Sequence, residues 1–508
     1  TLHGSSAASD VYKRQGHEST NRIAPFSFRK QVHILHDIRV LIWISQTVGR
    51  IAMFRISQKE MHLVKISQNF AYILLFVLLL PSHLFSFDVW DLKRRKQQDG
   101  KELGYFFYPL VYTVPGVGSG NGAGGTIINL LGDGSTLNLI RIRGDYEVDA
   151  VAATGMPIFT PRLNLSLAYA HGRKGAFSFY GRGPDSSQTP EFTLKFKDSY
   201  GYGAELSLNF FQRQLEFYAG YAAAVPKIDL DASDLGANIE DLPSQSSSEQ
   251  EQSIAIFYKN MLKYFDLQRL VVRRQGILID RTDDRIDPRN GLRLQYEHWD
   301  TVGIGITDTV VDDYSLTAYF PSKSKSSVLV ANLFHSGSRV INPLESSVKF
   351  DRAACLEGLQ KSERKYNWIS DNTICNGIEK GVQDFQKTEA GNSNATSLGG
   401  TQRLRSYPIG RFHDSYTFFF GLESRFYFME SSTPFNWIIE KGVFQAFQLA
   451  FFYEMGQVSP KNDANLYKDF KSSSGVGLRI VFSSVVLRAD IARGEEGSER
   501  TVFVGYGF

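Results

Sequence analysis

This chain of 508 residues has few long apolar runs and few cysteines, and neither sign of charge is in clear excess. The mean hydropathy of -0.22 excludes a polytopic helical membrane protein. It does not exclude a membrane barrel, because each spanning strand carries polar residues on its inner face. The 56 basic and 53 acidic residues leave a net charge of only +3, which gives no reason to expect a nucleic-acid partner.

Only two cysteines occur, Cys355 and Cys375, in a polar stretch typical of a loop. Neither has a histidine or another cysteine at zinc-ligand spacing, so no metal site and no cofactor are predicted. If the segment is exported, a disulfide between the two thiols is favoured over two unrelated thiols.

Glycine (44), phenylalanine (38) and tyrosine (24) are abundant, while proline is modest at 16. This composition suits many short strands better than a bundle of helices. The sequence therefore favours an all-β fold.

The N-terminal region has the pattern of an export signal. Residues 1–60 begin with Thr1 and resemble translated adaptor sequence, so they are left out of the fold prediction. Residues 61–86 then combine Lys65, an apolar run over 70–80, a helix-breaking proline and a small residue at the end. That run spans only about half of a bilayer core, which favours a cleaved signal peptide over a membrane anchor. We expect a short periplasmic tail over 87–104 and a barrel over 105–508.

Alternation with a period of two recurs from about residue 105 to the C-terminus. A soluble sandwich also alternates, but here one face carries large aromatic residues and the other carries full charges. In a membrane barrel the first face meets lipid and the second meets a watery lumen. The clearest alternating segments are 206–210, 418–428, 447–455, 476–482 and 485–491.

The C-terminus ends with Val504, Tyr506 and Phe508 on one predicted face. A terminal aromatic residue after alternating apolar positions resembles the signal by which outer-membrane barrels are recognised for insertion. Counting similar segments predicts a transmembrane antiparallel β-barrel of about 16 strands, an even number as in bacterial barrels.

The segment GGTQRLRSY at 399–407 is followed at once by a strand hairpin. It resembles the sixth extracellular loop of the outer-membrane assembly-factor superfamily, which includes BamA-like and surface-antigen barrels. Gly399, Gly400, Arg405 and Tyr407 match the family pattern, and Ser406 stands where the family has glycine.

Three further segments match in the order that the family has. Residues 280–291 resemble its strand–turn–strand element, and Glu423 matches its acidic residue after the loop. Phe452 and Glu454 resemble its Phe-x-Asp-x-Gly element, with glutamate in place of aspartate. The resemblance covers about 270–508 closely and 105–250 more weakly.

The resemblance implies that Arg405 folds back into the lumen and pairs with Glu423 and Glu454, near Phe452. Alternation alone also places those three partners on the inner face. Two carboxylates around one guanidinium would form charge-assisted hydrogen bonds. The alternative is a loop arginine exposed to solvent.

Other candidate signals are weaker. Gly120, Gly122 and Gly125 form a GxGxxG, but a strand follows rather than a helix, so a nucleotide site is not expected. We interpret these glycines as part of a first strand that pairs weakly with the last one. Residues 345–398 are interpreted as a partly helical extracellular insertion. No Ser–His–acid set can be assembled, so no catalytic residue is predicted and the chain is not expected to be an enzyme.

The resemblance implies a role in inserting proteins into, or moving them across, the outer membrane. Expected partners are outer-membrane lipid, an unfolded or secreted protein, and a separate periplasmic protein in place of the repeat domains of the family. The alternatives are a passive channel or structural barrel whose loop plugs the lumen, and an outer-membrane lipid hydrolase, which lacks a catalytic set.

Overall fold

The computed structural model describes residues 102–507 except 133, 191, 230–268, 305–307, 438–439, 483–484 and most of 343–391. These residues form one antiparallel sheet that closes on itself, because the last strand pairs with the first. The predicted antiparallel all-β barrel is confirmed. Residues 1–101, with the predicted leader, the signal peptide and most of the tail, lie outside the described residues.

Sixteen long strands and one short strand, β8, make up this sheet. The strands are β1 (Gly104–Val114), β2 (Gly118–Ile128), β3 (Thr136–Gly144), β4 (Glu147–Ile158), β5 (Thr160–Phe179), β6 (Phe192–Phe210), β7 (Leu215–Val225), β8 (Ile228–Asp229), β9 (Arg269–Thr282), β10 (Gly291–Ile304), β11 (Asp308–Pro321), β12 (Ser327–Asn342), β13 (Tyr416–Trp437), β14 (Glu440–Ser459), β15 (Lys471–Phe482), β16 (Val485–Gly494) and β17 (Gly497–Val504).

Period-two alternation decides which side chains face outward. Leu206 and Phe451 point outward and are 47% and 50% exposed, whereas Gln448 and Arg479 point inward and are fully buried. Successive residues of a strand face opposite sides of the sheet, so one pattern supplies both the apolar outer wall and the polar lining. The inward and outward assignments made for β13 to β16 agree with these positions.

Antiparallel pairing gives the barrel two distinct ends. We call the end with Gly104 and Val504 the turn end; it also carries the connections at 129–135, 211–214 and 283–290. The opposite end, the loop end, carries the connection over 343–415. Among the described residues no helix has the length and apolarity needed to cross a bilayer.

The glycine-rich segment lies in the second strand, not the first. The first strand, β1, is largely apolar and aromatic, and β2 carries Gly120, Gly122 and Gly125 and pairs with β1 along its whole length. The expectation that these glycines lie at the junction with the last strand is therefore wrong.

The predicted extracellular insertion over 345–398 ends too late. Residues 392–398 already belong to the segment that enters the barrel, where Ala395 and Leu398 are buried and Leu398 forms a β-bridge with Phe412. Earlier in the insertion, residues 372–373 and 375–377 have helical backbone. Cys375 is buried and disulfide-bonded, whereas Cys355 lies outside the described residues, so the predicted pairing stays a prediction.

Candidate functional site

Residues 392–415, which we call the lumen loop, connect to β13 from inside the barrel. Leu398, Leu404 and Tyr407 of this loop are completely buried. They pack in one apolar cluster with Phe419 of β13 and Val458 of β14, both inward-facing wall residues. Burial of this apolar surface stabilises the loop inside the lumen.

The two predicted glycines shape the start of the loop turn. Gly399 and Gly400 have φ values of 108° and 92°, a region that favours glycine. A Cβ on Gly399 would lie 1.9 Å from the carbonyl oxygen of Pro408. The backbone N–H of Gly400 donates to the carbonyl of Tyr407 at 2.8 Å. A side chain at residue 399 would therefore break the turn that presents Arg405.

Ser406 fits this turn without strain, because the residue with left-handed backbone near it is Leu404. Leu404 has a φ of 54°, and Ser406 is not among the residues with positive φ. The backbone N–H of Ser406 donates to Ser473 Oγ at 3.1 Å. Replacing the glycine of the family pattern by Ser406 therefore costs no strained conformation.

Arg405 is fully buried and contacts three carboxylates. Its Nε donates to Glu454 Oε1 at 2.7 Å, and its backbone N–H donates to Glu454 Oε2 at 2.8 Å. Its two Nη atoms donate to Glu423 at 3.0 Å and to Asp490 at 2.8 Å. The face of the guanidinium lies 3.5 Å from the ring centroid of Phe452.

The carboxylates decide the protonation of this arginine. Burial would lower the pKa of the Arg405 guanidinium, but the charges of Glu454, Glu423 and Asp490 outweigh it and raise that pKa above its ordinary value. All five donors of a guanidinium lie in one plane, a geometry that suits several carboxylates at once. Arg405 is therefore held as a cation in the barrel interior.

Glu423 links Arg405 to two further arginines. It accepts from Arg425 Nε at 2.8 Å and from Arg479 at 2.9 Å. Asp490 lies 3.6 Å from Arg488 Nε. The cluster thus joins the lumen loop to the walls of β13 through β16, and we call it the arginine cluster. Its members are Arg405, Arg425, Arg479, Arg488, Glu423, Glu454 and Asp490.

Tyr407 anchors the loop on the loop-end side of the cluster. Its hydroxyl donates to the carbonyl of Ser472 at 3.1 Å and accepts from the backbone N–H of Glu495 at 3.2 Å. Its ring meets Phe412 edge-on at a centroid distance of 5.0 Å. Burial raises the pKa of the Tyr407 hydroxyl above its ordinary value.

The structure therefore brings together Arg405, Glu423, Phe452 and Glu454, the four residues predicted to meet. Asp490, Arg425 and Arg479 were not predicted as members of the cluster. Alternation places them on the polar face, a signal that could have identified them as lumen residues. The distances between them depend on strand register, which alternation does not show.

The C-terminal prediction needs a correction. Val504 ends β17, and Gly505, with a φ of 104°, turns the chain away from the wall. Tyr506 does not continue the outward face: its hydroxyl donates to Asp287 at 2.7 Å inside the barrel, and Arg425 lies 3.9 Å from its ring centroid. Phe508 lies outside the described residues.

The predicted turn over 280–291 supplies the partner for this tail. Asp287 is buried and also accepts from Tyr427 at 2.9 Å and from Gln448 at 3.1 Å. Asp283 Oδ1 accepts two backbone N–H groups of the same turn, from Arg289 and Asn290. The turn thus folds inward and holds Tyr506 beneath the arginine cluster. Asp287 was not predicted.

The chemistry of these residues is binding and positioning. In the part of the chain that the structure describes, no three His, Cys, Asp or Glu side chains are placed to hold a metal ion. The arrangement joins the loop, the C-terminal tail and four neighbouring strands of the wall, β13 to β16, through buried ionic hydrogen bonds. The loss of one partner from such a bond is costly, because it leaves a buried charge without compensation.

The likeness of this chain to known proteins is low. No family model matches the sequence, and no curated protein matches it. Among solved structures, BamA from Haemophilus ducreyi lacking POTRA domains 1–3 is 15% identical, with a TM-score of 0.42 over 81% of this chain and 70% of that one. CdiB from Acinetobacter baumannii is 11% identical, with a TM-score of 0.40 over 80% and 60% of the two chains. Pseudomonas aeruginosa OccK5 (OpdH) is 10% identical, with a TM-score of 0.27 over 80% and 95%.

Proposed function

We propose that this chain is an outer-membrane barrel that inserts protein clients into the membrane, or moves them across it, at the seam between β1 and β17. The observation that carries the proposal is the weak pairing of these two strands. Export by the predicted signal peptide and a separate periplasmic protein that delivers clients are parts of the same proposal. No covalent chemistry is involved.

The seam has little of the pairing found elsewhere in the wall. Between β1 and β17 the register holds the single pair Thr113↔Val502. By contrast, β16 and β17 pair without a break from Leu487↔Val504 to Gly494↔Gly497. The seam is therefore the weakest junction between neighbouring long strands in the part of the wall that the structure describes.

Two sequence features limit the pairing at the seam. Pro109 lies in the middle of β1 and has no backbone N–H to donate to a partner. Gly505 still donates its backbone N–H to Val486 of β16, but Tyr506 leaves the wall at the turn end and does not extend the pairing of β17 with β1.

An incompletely paired strand edge is a template for another strand. In the hydrocarbon core, unpaired N–H and C=O groups have no water to bind, so an incoming strand that pairs with them is stabilised. The arginine cluster meanwhile ties the lumen loop to the walls of β13 through β16. We infer that these four strands stay rigid while the seam admits a client.

A passive channel is the second candidate function. A cavity of about 670 Å³ lies inside the wall of β2 to β9. Charges of both signs line it, among them Glu205, Glu216, Arg213, Arg274 and Arg285. A cavity lined by charges of both signs favours the passage of ions through the barrel.

Two disulfide variants distinguish these functions. In the first variant, Thr113→Cys with Val502→Cys, a disulfide links β17 to β1. In the second, Ala489→Cys with Val502→Cys, a disulfide links β17 to β16, with which it is already paired. Each variant is placed in vesicles, and the rate at which a urea-unfolded eight-stranded barrel protein folds into them is measured. Planar-bilayer conductance is recorded in parallel.

We expect a disulfide between β1 and β17 to abolish assisted folding, and a reductant to restore it. A disulfide between β16 and β17 should leave assisted folding unchanged. Equal activity of both oxidised variants would overturn the seam mechanism. Steady conductance in a protein that never accelerates folding would instead support the passive channel.

A further inference from the structure

The outer surface of the wall carries a group of charges that the seam and the lumen do not use. Three arginines on the two strands that flank β4, Arg141, Arg143 and Arg173, converge on Asp149 of β4. The distances to its carboxylate are 3.4 Å for Arg141 and 2.9 Å for both Arg143 and Arg173. One aspartate cannot balance three guanidiniums, and an excess of two positive charges remains.

The neighbouring charges reduce this excess without removing it. Glu147 lies 3.8 Å from Arg143, but Lys174 is directly across from Glu147 in the strand register and itself interacts with Asp145. The side chains of Arg141 and Arg173 are 69% and 49% exposed, so they keep donors available for a ligand.

Strand register places this group on the lipid-facing side of the barrel. Arg141 pairs with Asp149 on β4 and with Ala123 on β2. Two residues along each strand toward the turn end, the same face carries Gly125, Leu139, Val151 and Tyr169. The last three are exposed apolar residues of the outer wall.

The arginines lie near the loop end of the outer wall. Arg141 and Arg143 lie within three residues of Gly144, where β3 ends at the loop end. An outward arginine costs about 2–4 kcal/mol at the bilayer midplane but only about 0–1 kcal/mol near the interface. Phosphates of the leaflet at the loop end are therefore within reach of these side chains.

A trough lies directly below the arginines. It encloses about 370 Å³ between Phe107 of β1 and Tyr169 of β5, with Leu139 and Val151 along its length. The small residues of β2 form the floor, because Ala123 and Gly125 leave the space that larger side chains fill elsewhere on the wall. The trough thus owes its depth to the glycine-rich strand.

We propose that this surface binds one phosphorylated lipid, with its phosphate on Arg141 and Arg173 and an acyl chain in the trough. Guanidinium groups bind phosphate through paired, charge-assisted hydrogen bonds. The order of the two parts along the wall, cationic toward the loop end and apolar below, is the order of headgroup and chain in a leaflet. The site adjoins β1, so the bound lipid would lie beside the seam.

The test uses the full chain, purified and delipidated in a non-ionic detergent, and native mass spectrometry. The probes are dioleoylphosphatidic acid, dioleoylglycerol with the same chains and no phosphate, and inorganic phosphate. Three variants are compared: Arg141→Gln with Arg173→Gln, Ala123→Leu, and the control Arg273→Gln, which alters an outward arginine paired with Asp300 elsewhere on the wall. Heat-modifiable electrophoresis verifies that each variant is folded.

We expect phosphatidic acid to bind about tenfold more tightly than dioleoylglycerol, because only the former offers charge-assisted bonds to the arginines. The double arginine variant should lose this preference, Ala123→Leu should weaken both lipids, and Arg273→Gln should match the unaltered chain. Equal binding by the double variant and the control would overturn the headgroup site. Displacement of phosphatidic acid by inorganic phosphate, together with no effect of Ala123→Leu, would overturn the acyl trough. Neither result depends on whether the seam inserts proteins.

Discussion

At the scale of single residues, we expect Arg405 to contribute more to stability than Arg403 of the same loop, because the two arginines have different partners. Arg403 stacks 3.6 Å above the ring centroid of Phe334, whereas Arg405 binds Glu423, Glu454 and Asp490. Removing one member of a buried ionic group leaves charge uncompensated, which costs more than losing a ring contact.

We therefore expect Arg405→Ala to lower the free energy of unfolding by about 3–5 kcal/mol, because three carboxylates lose their shared cation. Arg405→Lys should give a smaller loss, since an ammonium lacks the planar fork. Arg403→Ala, the matched control in the same loop, should cost less than Arg405→Ala, because Arg403 stacks on Phe334 and interacts with Asp313 and Glu454 through charge at longer range. Urea unfolding in vesicles measures all three, and equal losses for Arg405→Ala and Arg403→Ala would contradict the ionic role.

Glu423 supplies a second test, because it alone bridges Arg405, Arg425 and Arg479 among the residues that the structure describes. Glu423→Gln would leave three buried guanidiniums facing one neutral amide, and a loss of about 3–5 kcal/mol is expected. The control Glu430→Gln, on the same strand but 48% exposed, should cost less than about 1 kcal/mol. The prediction fails if the two variants unfold at the same urea concentration.

At the scale of elements, the C-terminal tail is held by its tyrosine rather than by the sheet. The Tyr506 hydroxyl donates to Asp287 and accepts from Gln448, both at 2.7 Å. Tyr506→Phe should lower the free energy of unfolding by about 1–2 kcal/mol, because two buried polar groups lose a partner. Tyr453→Phe, which alters an outward tyrosine 45% exposed, should leave stability unchanged. The same denaturant titration measures both, and no loss in Tyr506→Phe would show that the tail is not held through this hydroxyl.

At the scale of the whole barrel, stability should vary around the wall. The junction of β13 and β14 pairs over most of both strands and borders the arginine cluster, while the seam holds one register pair. Opening free energy follows local pairing, so amides in 104–114 and 497–504 should exchange with deuterium fastest among the strands. Hydrogen-exchange mass spectrometry measures this order. Equal protection of β1 and β13 would contradict a weak seam.

Much of the barrel could be predicted from the sequence because alternation in a strand is local. Alternation with a period of two assigns Val476 and Leu478 to the outer face and Arg479 to the inner face, and this assignment does not depend on the neighbouring strands. The pairing of Arg405 with Glu423 and Glu454 was implied by the resemblance to the outer-membrane assembly-factor superfamily, and the structure brings them within 3.0 Å. The outer wall and the polar lining therefore follow from the amino-acid sequence by itself.

Other features were decided only by tertiary structure. Asp490 joins the arginine cluster because β16 lies beside β15 in one particular register, and Tyr506 turns inward because Asp287 and Gln448 lie inside the barrel. Asp149 gathers three arginines only when β3, β4 and β5 are aligned. Alternation assigns each side chain to a face, but strand register and the path of the tail decide which charges meet, because those contacts join residues far apart in the chain.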